Sequence, residues 1–326
     1  MVRRAMRPSE GLTLAKRKPH DSDMFTPVSN VAVDDPHDMF SDVQIYKPHR
    51  AGIPNLPRYF REVWKRREFI TELSRSMMVA QHSTTFFGRA WLIINPLLLA
   101  GVYYFLVYAL RGGKAAPYYF AYLTGGLFMF YFISGSMQGG AGSIVGGGRL
   151  VMNTAFPRLL LTIAAVRTAF FRFLPTVPVF YIIYLGSGLR PNWHQLLAIP
   201  AAFLIMLFAM GMAAFVATLQ VYFRDTSSFM TYFIRIWLYV SPVLWPWYSH
   251  GQTGVIEVLL KFNPLYSLLG VWNDAILSAS FDPERFSEPQ YAPLGLWGLA
   301  TLWAVGTLAV GCLYFISRER EFAVRL

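Results

Sequence analysis

The sequence predicts an all-α polytopic membrane protein, and three observations lead to this fold class. Of its 326 residues, 55% are hydrophobic and only 14% are charged. The apolar residues form blocks of about 20, the length of helix that crosses the hydrocarbon core of a bilayer. Most Lys and Arg residues lie beside these blocks. We therefore expect six transmembrane helices, an N-terminal amphipathic interface helix, and a re-entrant helical pair before the last span.

Residues 1–57 are expected to form a disordered cytoplasmic tail. A basic head that ends at Lys18 is followed by an acidic middle from Asp21 to Asp42, and prolines recur throughout. Such a segment has too little apolar surface to offset the entropy of ordering it, and proline interrupts regular helices.

Residues 58–90 have the pattern of an amphipathic helix. Tyr59, Val63 and Ile70 recur near helical spacing, with basic residues between them. On a membrane surface the apolar side chains would dip into lipid while the cations face phosphate. A helix that packs on a soluble partner would show the same pattern, and this alternative stays open.

The transmembrane domain is predicted over residues 91–320. Residues 159–172 are expected to form an interfacial helix, because Arg167 and Arg172 interrupt the apolar run there. Two apolar pieces within residues 254–280 are each too short to cross a bilayer, which favours a re-entrant pair. The six spans are expected at about 91–110, 118–139, 173–189, 196–222, 229–247 and 294–317.

The distribution of charge orients this layout. Outside the tail, 16 Lys and Arg residues lie in segments assigned to one side of the membrane and five in segments assigned to the other. Lys and Arg are enriched in cytoplasmic loops. Both termini are therefore expected in the cytoplasm.

The sequence lacks the residue patterns that several classes of function require. No GxxxxGK[ST] phosphate-binding loop occurs, and the assigned spans contain no Asp, Glu or Lys that an ion-driven carrier would use. One cysteine and six scattered histidines argue against a metal site. Membrane topology and lipid contact explain the basic excess better than nucleic acid does. No cofactor is expected in this chain, and a partner must supply the energy for any transport.

The segment GGGRLVMNTAFPR, residues 146–158, lies between the second and third predicted spans. Its glycines, its arginines and Pro157 favour a loop rather than a continuous helix. The positive charge places it on the cytoplasmic side, where we expect a contact loop.

Four further patterns accompany this loop: NTAFPRLLL within and after it, YFRDTSSF after the fourth span, WLYVSPVLWP in the fifth, and FNPLYSLL before the last. Together with the interface helix, they resemble the transmembrane permease subunit of type 2 ABC exporters for lipid-linked polysaccharide, the O-antigen and teichoic-acid export class. The sequence as a whole is most similar to the mycobacterial-type galactan exporter permease.

The resemblance implies a homodimer joined to two copies of an ABC ATPase subunit, which would bind ATP and magnesium. The assembly would lie in the bacterial inner membrane and export a polyprenyl-diphosphate-linked glycan, here cell-wall galactan, from the cytoplasm. The family's ATPase-coupling element falls on Arg149, Asn153, Phe156, Pro157 and Arg158.

The resemblance also implies an aromatic substrate channel, because sugar rings stack on aromatic side chains. The expected channel residues are Tyr104, Tyr108, Tyr131, Trp237 and Tyr239. Guanidinium groups bind phosphate through paired hydrogen bonds. The expected contacts of the incoming diphosphate are Arg66, Arg67, Arg75 and Arg89. Two alternatives stay open: helix packing would also explain the aromatic residues, and the enrichment of Lys and Arg in cytoplasmic segments would also explain the arginines.

Two other functions fit the sequence. One is a type 2 ABC permease for a drug or a lipid. The other is a membrane-embedded glycan-processing enzyme, which would need acid/base or metal-binding side chains. The only candidates for that role are the outer acidic residues Glu257, Asp274, Asp282, Glu284 and Glu288.

Overall fold

A computed structural model describes residues 55–82, 88–113, 118–148, 152, 156–245, 262–277 and 292–326. Within these ranges the chain is helical and contains no strand, which confirms the predicted all-α class for this part. Nearly all of the predicted tail, the loop residues Arg149 and Asn153, and much of the predicted re-entrant region lie outside the described residues.

The described helices are numbered in chain order. The α-helices are α1 (Leu56–Lys65), α2 (Arg67–His82), α3 (Trp91–Leu110), α4 (Tyr119–Gly146), α5 (Leu159–Phe173), α6 (Thr176–Gly186), α7 (Ala198–Tyr222), α8 (Thr226–Val240), α9 (Pro264–Leu277), α10 (Leu294–Arg318) and α11 (Phe322–Arg325). Short 3₁₀ helices cover Gly88–Ala90, Trp193–Leu197 and Glu319–Glu321.

Five helical segments of the described chain are long and apolar enough to cross a bilayer, which indicates a multi-pass membrane protein. The predicted fifth span is represented by α8, which is only 15 residues long. The five segments are Trp91–Leu110, Tyr119–Gly146, Leu159–Gly186, Trp193–Tyr222 and Leu294–Arg325.

The third span differs from the prediction. Helices α5 and α6 form one 28-residue apolar segment, interrupted only at Leu174 and Pro175, instead of an interfacial helix followed by a span at 173–189. Leu160, Ala164 and Thr168 recur four residues apart and are buried in the bundle. The Arg167 guanidinium reaches the Thr71 hydroxyl of α2, and Arg172 borders a cavity, so neither charge removes α5 from the bundle.

Helix α4 lies at the centre of the bundle. It packs against α3, α5, α7, α8 and α9, and most of its residues are buried. Helix α3 is the opposite case, since only Ala100 and Tyr103 of its residues are buried. An apolar helix with so little protein cover needs lipid or another protein around it.

The spans alternate in direction, so two ends of the bundle can be defined. The motif end holds Gly146, Leu159, Tyr222 and Arg318; the far end holds Leu110, Tyr119, Gly186 and Leu294. Helices α1 and α2 lie at the motif end, where α2 packs against α5.

Helix α8 runs between the two ends despite its length. It begins four residues after Tyr222, and the segment just beyond it meets the start of α4. There the Tyr119 hydroxyl donates to the Leu244 carbonyl at 2.8 Å, and the Tyr122 hydroxyl lies 2.7 Å from the Pro242 carbonyl.

Helix α9 covers the far end without crossing the bundle. Its 14 residues are too few to span a bilayer, and nearly all of them are buried. The Trp272 indole N–H donates to the Gly125 carbonyl of α4 at 3.0 Å. The first half of the predicted re-entrant pair lies outside the described residues.

Two glycines allow a close helix crossing between α7 and α10. Gly211 and Gly311 place their backbones in direct contact, and a Cβ added to either glycine would overlap the other helix. Small residues at such crossings let helix backbones approach in membranes, where apolar burial gives no extra driving force.

We expect Gly311→Ala to destabilise the protein by about 1–3 kcal/mol, because the added methyl group has no room at the crossing. Gly306→Ala on the same helix is the matched control, since nothing lies within 4 Å of its added Cβ. Thermal unfolding in detergent should show a lower melting temperature for the first variant only. Equal melting temperatures would contradict this packing.

Candidate functional site

The described part of the coupling loop lies in a contact region at the motif end. Phe156 packs against Phe69 of α2, with ring centroids 5.8 Å apart. Pro157 is buried and Phe156 is partly exposed. The described end of the loop therefore contacts α2 rather than extending freely from the bundle.

Glu319 joins the loop to the C-terminal segment and to α1. Its carboxylate accepts a hydrogen bond from the Tyr59 hydroxyl at 2.6 Å and another from the Arg158 backbone N–H. The Arg158 guanidinium in turn donates to the Glu319 carbonyl oxygen. We call these three residues the Glu319 clamp.

The surroundings of the clamp fix its charge states. The pKa of Tyr59 is raised, because burial and the adjacent Glu319 carboxylate both disfavour the phenolate. Burial lowers the pKa of Arg158, while Glu319 opposes that shift. Tyr59 therefore keeps its proton and acts as a hydrogen-bond donor. Arg158 stays a cation despite its burial, because arginine is not deprotonated in proteins.

An apolar cluster supports the clamp from within. It combines side chains from α1, α2, α5, α7, α10 and the C-terminal turn. Tyr59, Leu159 and Phe322 from this cluster are all buried. A displacement of Arg158 would therefore also disturb α1 and the ends of α7 and α10, which share this cluster.

The coupling residues are only partly described. Phe156, Pro157 and Arg158 lie together at the motif end, but Arg149 and Asn153 lie outside the described residues. Their contact with an ATPase stays a prediction. Sequence reasoning missed Glu319 as their partner, because no local pattern connects positions 161 residues apart.

The aromatic residues expected in the channel separate into different surroundings. Tyr104 stacks between Tyr108 and Tyr119, with centroid distances of 6.3 and 6.1 Å. Tyr239 meets Tyr103 edge to face at 6.1 Å. These contacts connect α3 to α4 and α8.

The other two channel candidates are on α4 and α8. Tyr131 lines a cavity of about 360 Å³ between α3, α4, α5 and α8. The Trp237 indole N–H donates to the Asn263 side-chain oxygen at 2.9 Å, and its ring packs against Phe233. The five candidates are distributed over α3, α4 and α8, and their role in a channel stays a prediction.

A polar face of α8 was not singled out from the sequence. Ser228, Tyr232, Arg235 and Tyr239 are all exposed, and their spacing of four, three and four residues places them on one side of the helix. We call this face the α8 stripe. A guanidinium in lipid costs several kcal/mol, so Arg235 requires water or protein opposite it.

The arginines expected to meet the diphosphate lie at or before the motif-end helices. Arg66, Arg67 and Arg75 are exposed, and the Arg67 guanidinium lies 5.8 Å from the centre of the Trp64 ring. The backbone of Arg89 is in a 3₁₀ helix, and its side chain is outside the description. Phosphate binding by these residues stays a prediction.

Asp274 is the one outer carboxylate of the enzyme hypothesis that the described residues include. It is buried in α9, and its carboxylate lies 3.4 Å from His194 Nε2. Burial raises the pKa of Asp274, and the contact with His194 opposes that rise. This pair stabilises the packing of α9 on the start of the fourth span.

Comparisons with known proteins identify relatives but no family model matches the chain. The O-antigen export system permease protein RfbA of Myxococcus xanthus is 27% identical over 267 residues, which cover 82% of this chain and 98% of that protein. Two proteins of the same name from Klebsiella pneumoniae are 26% and 25% identical over 221 residues, covering 68% of this chain and 84% of each relative. These relatives are named as permeases of an export system, not as enzymes.

We expect Glu319→Gln to release the loop from the C-terminal segment, because the neutral amide accepts weaker hydrogen bonds than the carboxylate. The loss should be about 1–2 kcal/mol of stability, with faster hydrogen exchange at the Arg158 amide. Glu321→Gln is the control, since the ion pairs of Glu321 with Arg318 and Arg325 are exposed. Unchanged exchange at Arg158 in the Glu319 variant would contradict the clamp.

Proposed function

We propose that the chain is the permease subunit of an ATP-driven ABC exporter for lipid-linked polysaccharide. The α8 stripe is the observation that carries this proposal, because it places an arginine and two tyrosines on an exposed face of an otherwise apolar bundle. The named relatives support the same function, since they are O-antigen export permeases.

The stripe has the chemistry of a polysaccharide path. The apolar face of a sugar ring stacks on an aromatic plane, and sugar hydroxyls exchange hydrogen bonds with groups such as Ser228 and Arg235. Tyr239 continues this face toward Tyr103 of α3. A single chain leaves the stripe open, so we propose that a second copy closes it and that the exporter contains a homodimer.

The energy must come from another subunit. The spans predicted from the sequence contain no Asp, Glu or Lys that could bind a coupling ion at membrane depth. We propose two copies of an ABC ATPase, which bind ATP and magnesium and contact the loop at Phe156 and Arg158. The Glu319 clamp would pass movement of that loop to α1, α2 and the last span.

The remaining parts of the proposal concern cargo and orientation. The cargo would be a polyprenyl-diphosphate-linked glycan, with cell-wall galactan as the specific candidate. The basic residues of α1 and α2 support a cytoplasmic location for the motif end, and we propose the bacterial inner membrane as the membrane that the chain spans. Export would then proceed from the motif end to the far end.

A cysteine-accessibility experiment tests the water-filled path. In a Cys312→Ser background, Tyr232→Cys should react with a membrane-impermeant charged thiol reagent when the assembled exporter is in vesicles. Leu302→Cys on α10 is the control, because the native side chains are similarly exposed, at 66% and 69%, yet Leu302 faces lipid in this account. Equal protection of both cysteines from the reagent would contradict a path along α8.

The coupling loop gives a second prediction. In lipid nanodiscs that hold the chain and its ATPase, Phe156→Ala should leave ATP hydrolysis in place but remove its response to the lipid-linked glycan, because the loop loses its ring contact with Phe69. Leu302→Ala, at an exposed position of α10, should keep the response. A normal glycan response in the Phe156 variant would assign coupling to another part of the chain.

A further inference from the structure

Arg172 has no partner for its charge in the part of the chain that the structure describes. It lies within the third apolar segment, Leu159–Gly186, and its side chain is only partly exposed. Its neighbour Arg167 is different, because the Arg167 guanidinium donates to the Thr71 hydroxyl at 2.5 Å and lies 5.2 Å from the centre of the Phe171 ring. An arginine at membrane depth without a carboxylate is costly unless an anion or water reaches it.

The side chain of Arg172 lines two adjoining cavities between α4 and α5. Their volumes are about 360 and 390 Å³, and Gly135, Gln138, Ala169 and Arg172 border both of them. We call the combined space the Arg172 cleft. Small residues provide its room, since no atom lies within 4 Å of a Cβ added at Gly142.

The cleft combines charge with neutral hydrogen-bond donors and an apolar border. Asn95 of α3 and Gln138 of α4 bring side-chain amides to its wall, and both residues are exposed. Met77 of α2 and Phe132 of α4 add apolar surface. A ligand with a phosphate head and a hydrocarbon tail matches this lining, because guanidinium and amide N–H groups bind phosphate oxygens.

The depth of Arg172 suits a ligand that arrives sideways from the membrane leaflet. Its Cα lies about 20 Å along the helix from Leu159, at about 1.5 Å per residue. Long helical side chains lean toward the N-terminus of their helix, so the guanidinium reaches back toward the motif end. The guanidinium therefore lies on the motif-end side of its own Cα, within the third apolar segment.

We propose that the Arg172 cleft binds the phosphate group of a membrane amphiphile. Two sources share this chemistry: the diphosphate of the exported lipid-linked glycan, which rests on the function proposed above, and the headgroup of an anionic bilayer lipid. Arg172 would hold the phosphate by two hydrogen bonds, and α2 would form the side of the cleft beside the hydrocarbon chain.

Binding of labelled farnesyl diphosphate to the purified chain in maltoside detergent tests the cleft, because this probe carries both a diphosphate and an isoprenoid. We expect Arg172→Gln to weaken binding about tenfold or more through loss of the charged hydrogen bonds. Arg167→Gln is the matched control and should change the affinity by less than about twofold. Gly142→Leu should also weaken binding, because it fills the cleft without removing a charge.

Competition identifies the source of the phosphate. Displacement by unlabelled farnesyl diphosphate at concentrations where phosphatidylglycerol fails would support the cargo, and equal displacement by both would support a bilayer lipid. Farnesol, which lacks phosphate, should not compete. Melting temperatures establish that each variant is folded. The melting temperature of Arg172→Gln should not fall, because the substitution removes a charge that has no partner among the described residues.

Equal affinity of the wild type, Arg172→Gln and Gly142→Leu for farnesyl diphosphate would overturn the proposal. The measurement contains no ATPase, so such a result would leave the proposed exporter function standing. Conversely, normal binding by a chain that forms no complex with an ATPase would retain the cleft and reject the exporter.

Discussion

A charge among apolar helices must have a partner, and this constraint determines how the chain uses its few charged residues. Glu319 is partly buried, and it receives hydrogen bonds from Tyr59 and Arg158. Arg235 lies on an exposed polar face, and Arg172 borders a cleft. The cost of leaving any of these groups in lipid is several kcal/mol, so each one marks a place where the bundle meets protein, water or an anion.

Different contacts connect the helices at the two ends of the bundle, the Glu319 clamp at the motif end and aromatic side chains at the far end. At the motif end, one carboxylate connects α1, the loop and the C-terminal segment, which are the parts nearest an ATPase in our proposal. At the far end, Tyr119, Tyr122 and Trp272 attach the ends of other segments to α4 by hydrogen bonds. The centre relies on close helix packing, as at Gly211 and Gly311. In the proposed exporter, such an arrangement would transmit movement along whole helices, because a close-packed interior resists local deformation.

The sequence predicts those features that depend on local composition. Helix α3 has the limits expected for the first span, Trp91–Leu110, because an uninterrupted apolar block is sufficient evidence for it. The prediction of an interfacial helix at residues 159–172 depends on the charge of Arg172, whereas the structure joins α5 and α6 into one apolar segment long enough to cross a bilayer. The partners of Glu319 lie 161 and 260 residues away, so only the folded chain shows them. The α8 stripe was visible as spacing, but Arg235 was interpreted only as a topological charge.

Transport in sealed proteoliposomes tests the central claim most directly. Vesicles that contain the chain and the ATPase from its gene cluster would be supplied with a fluorescent polyprenyl-diphosphate-linked glycan and ATP, and the glycan on each leaflet would be measured by a membrane-impermeant quencher. We predict that ATP moves the glycan from the leaflet at the motif end to the opposite leaflet, and that vesicles lacking either subunit show no movement. Equal movement without the ATPase, or none with both subunits and ATP hydrolysis intact, would contradict an ATP-driven polysaccharide exporter.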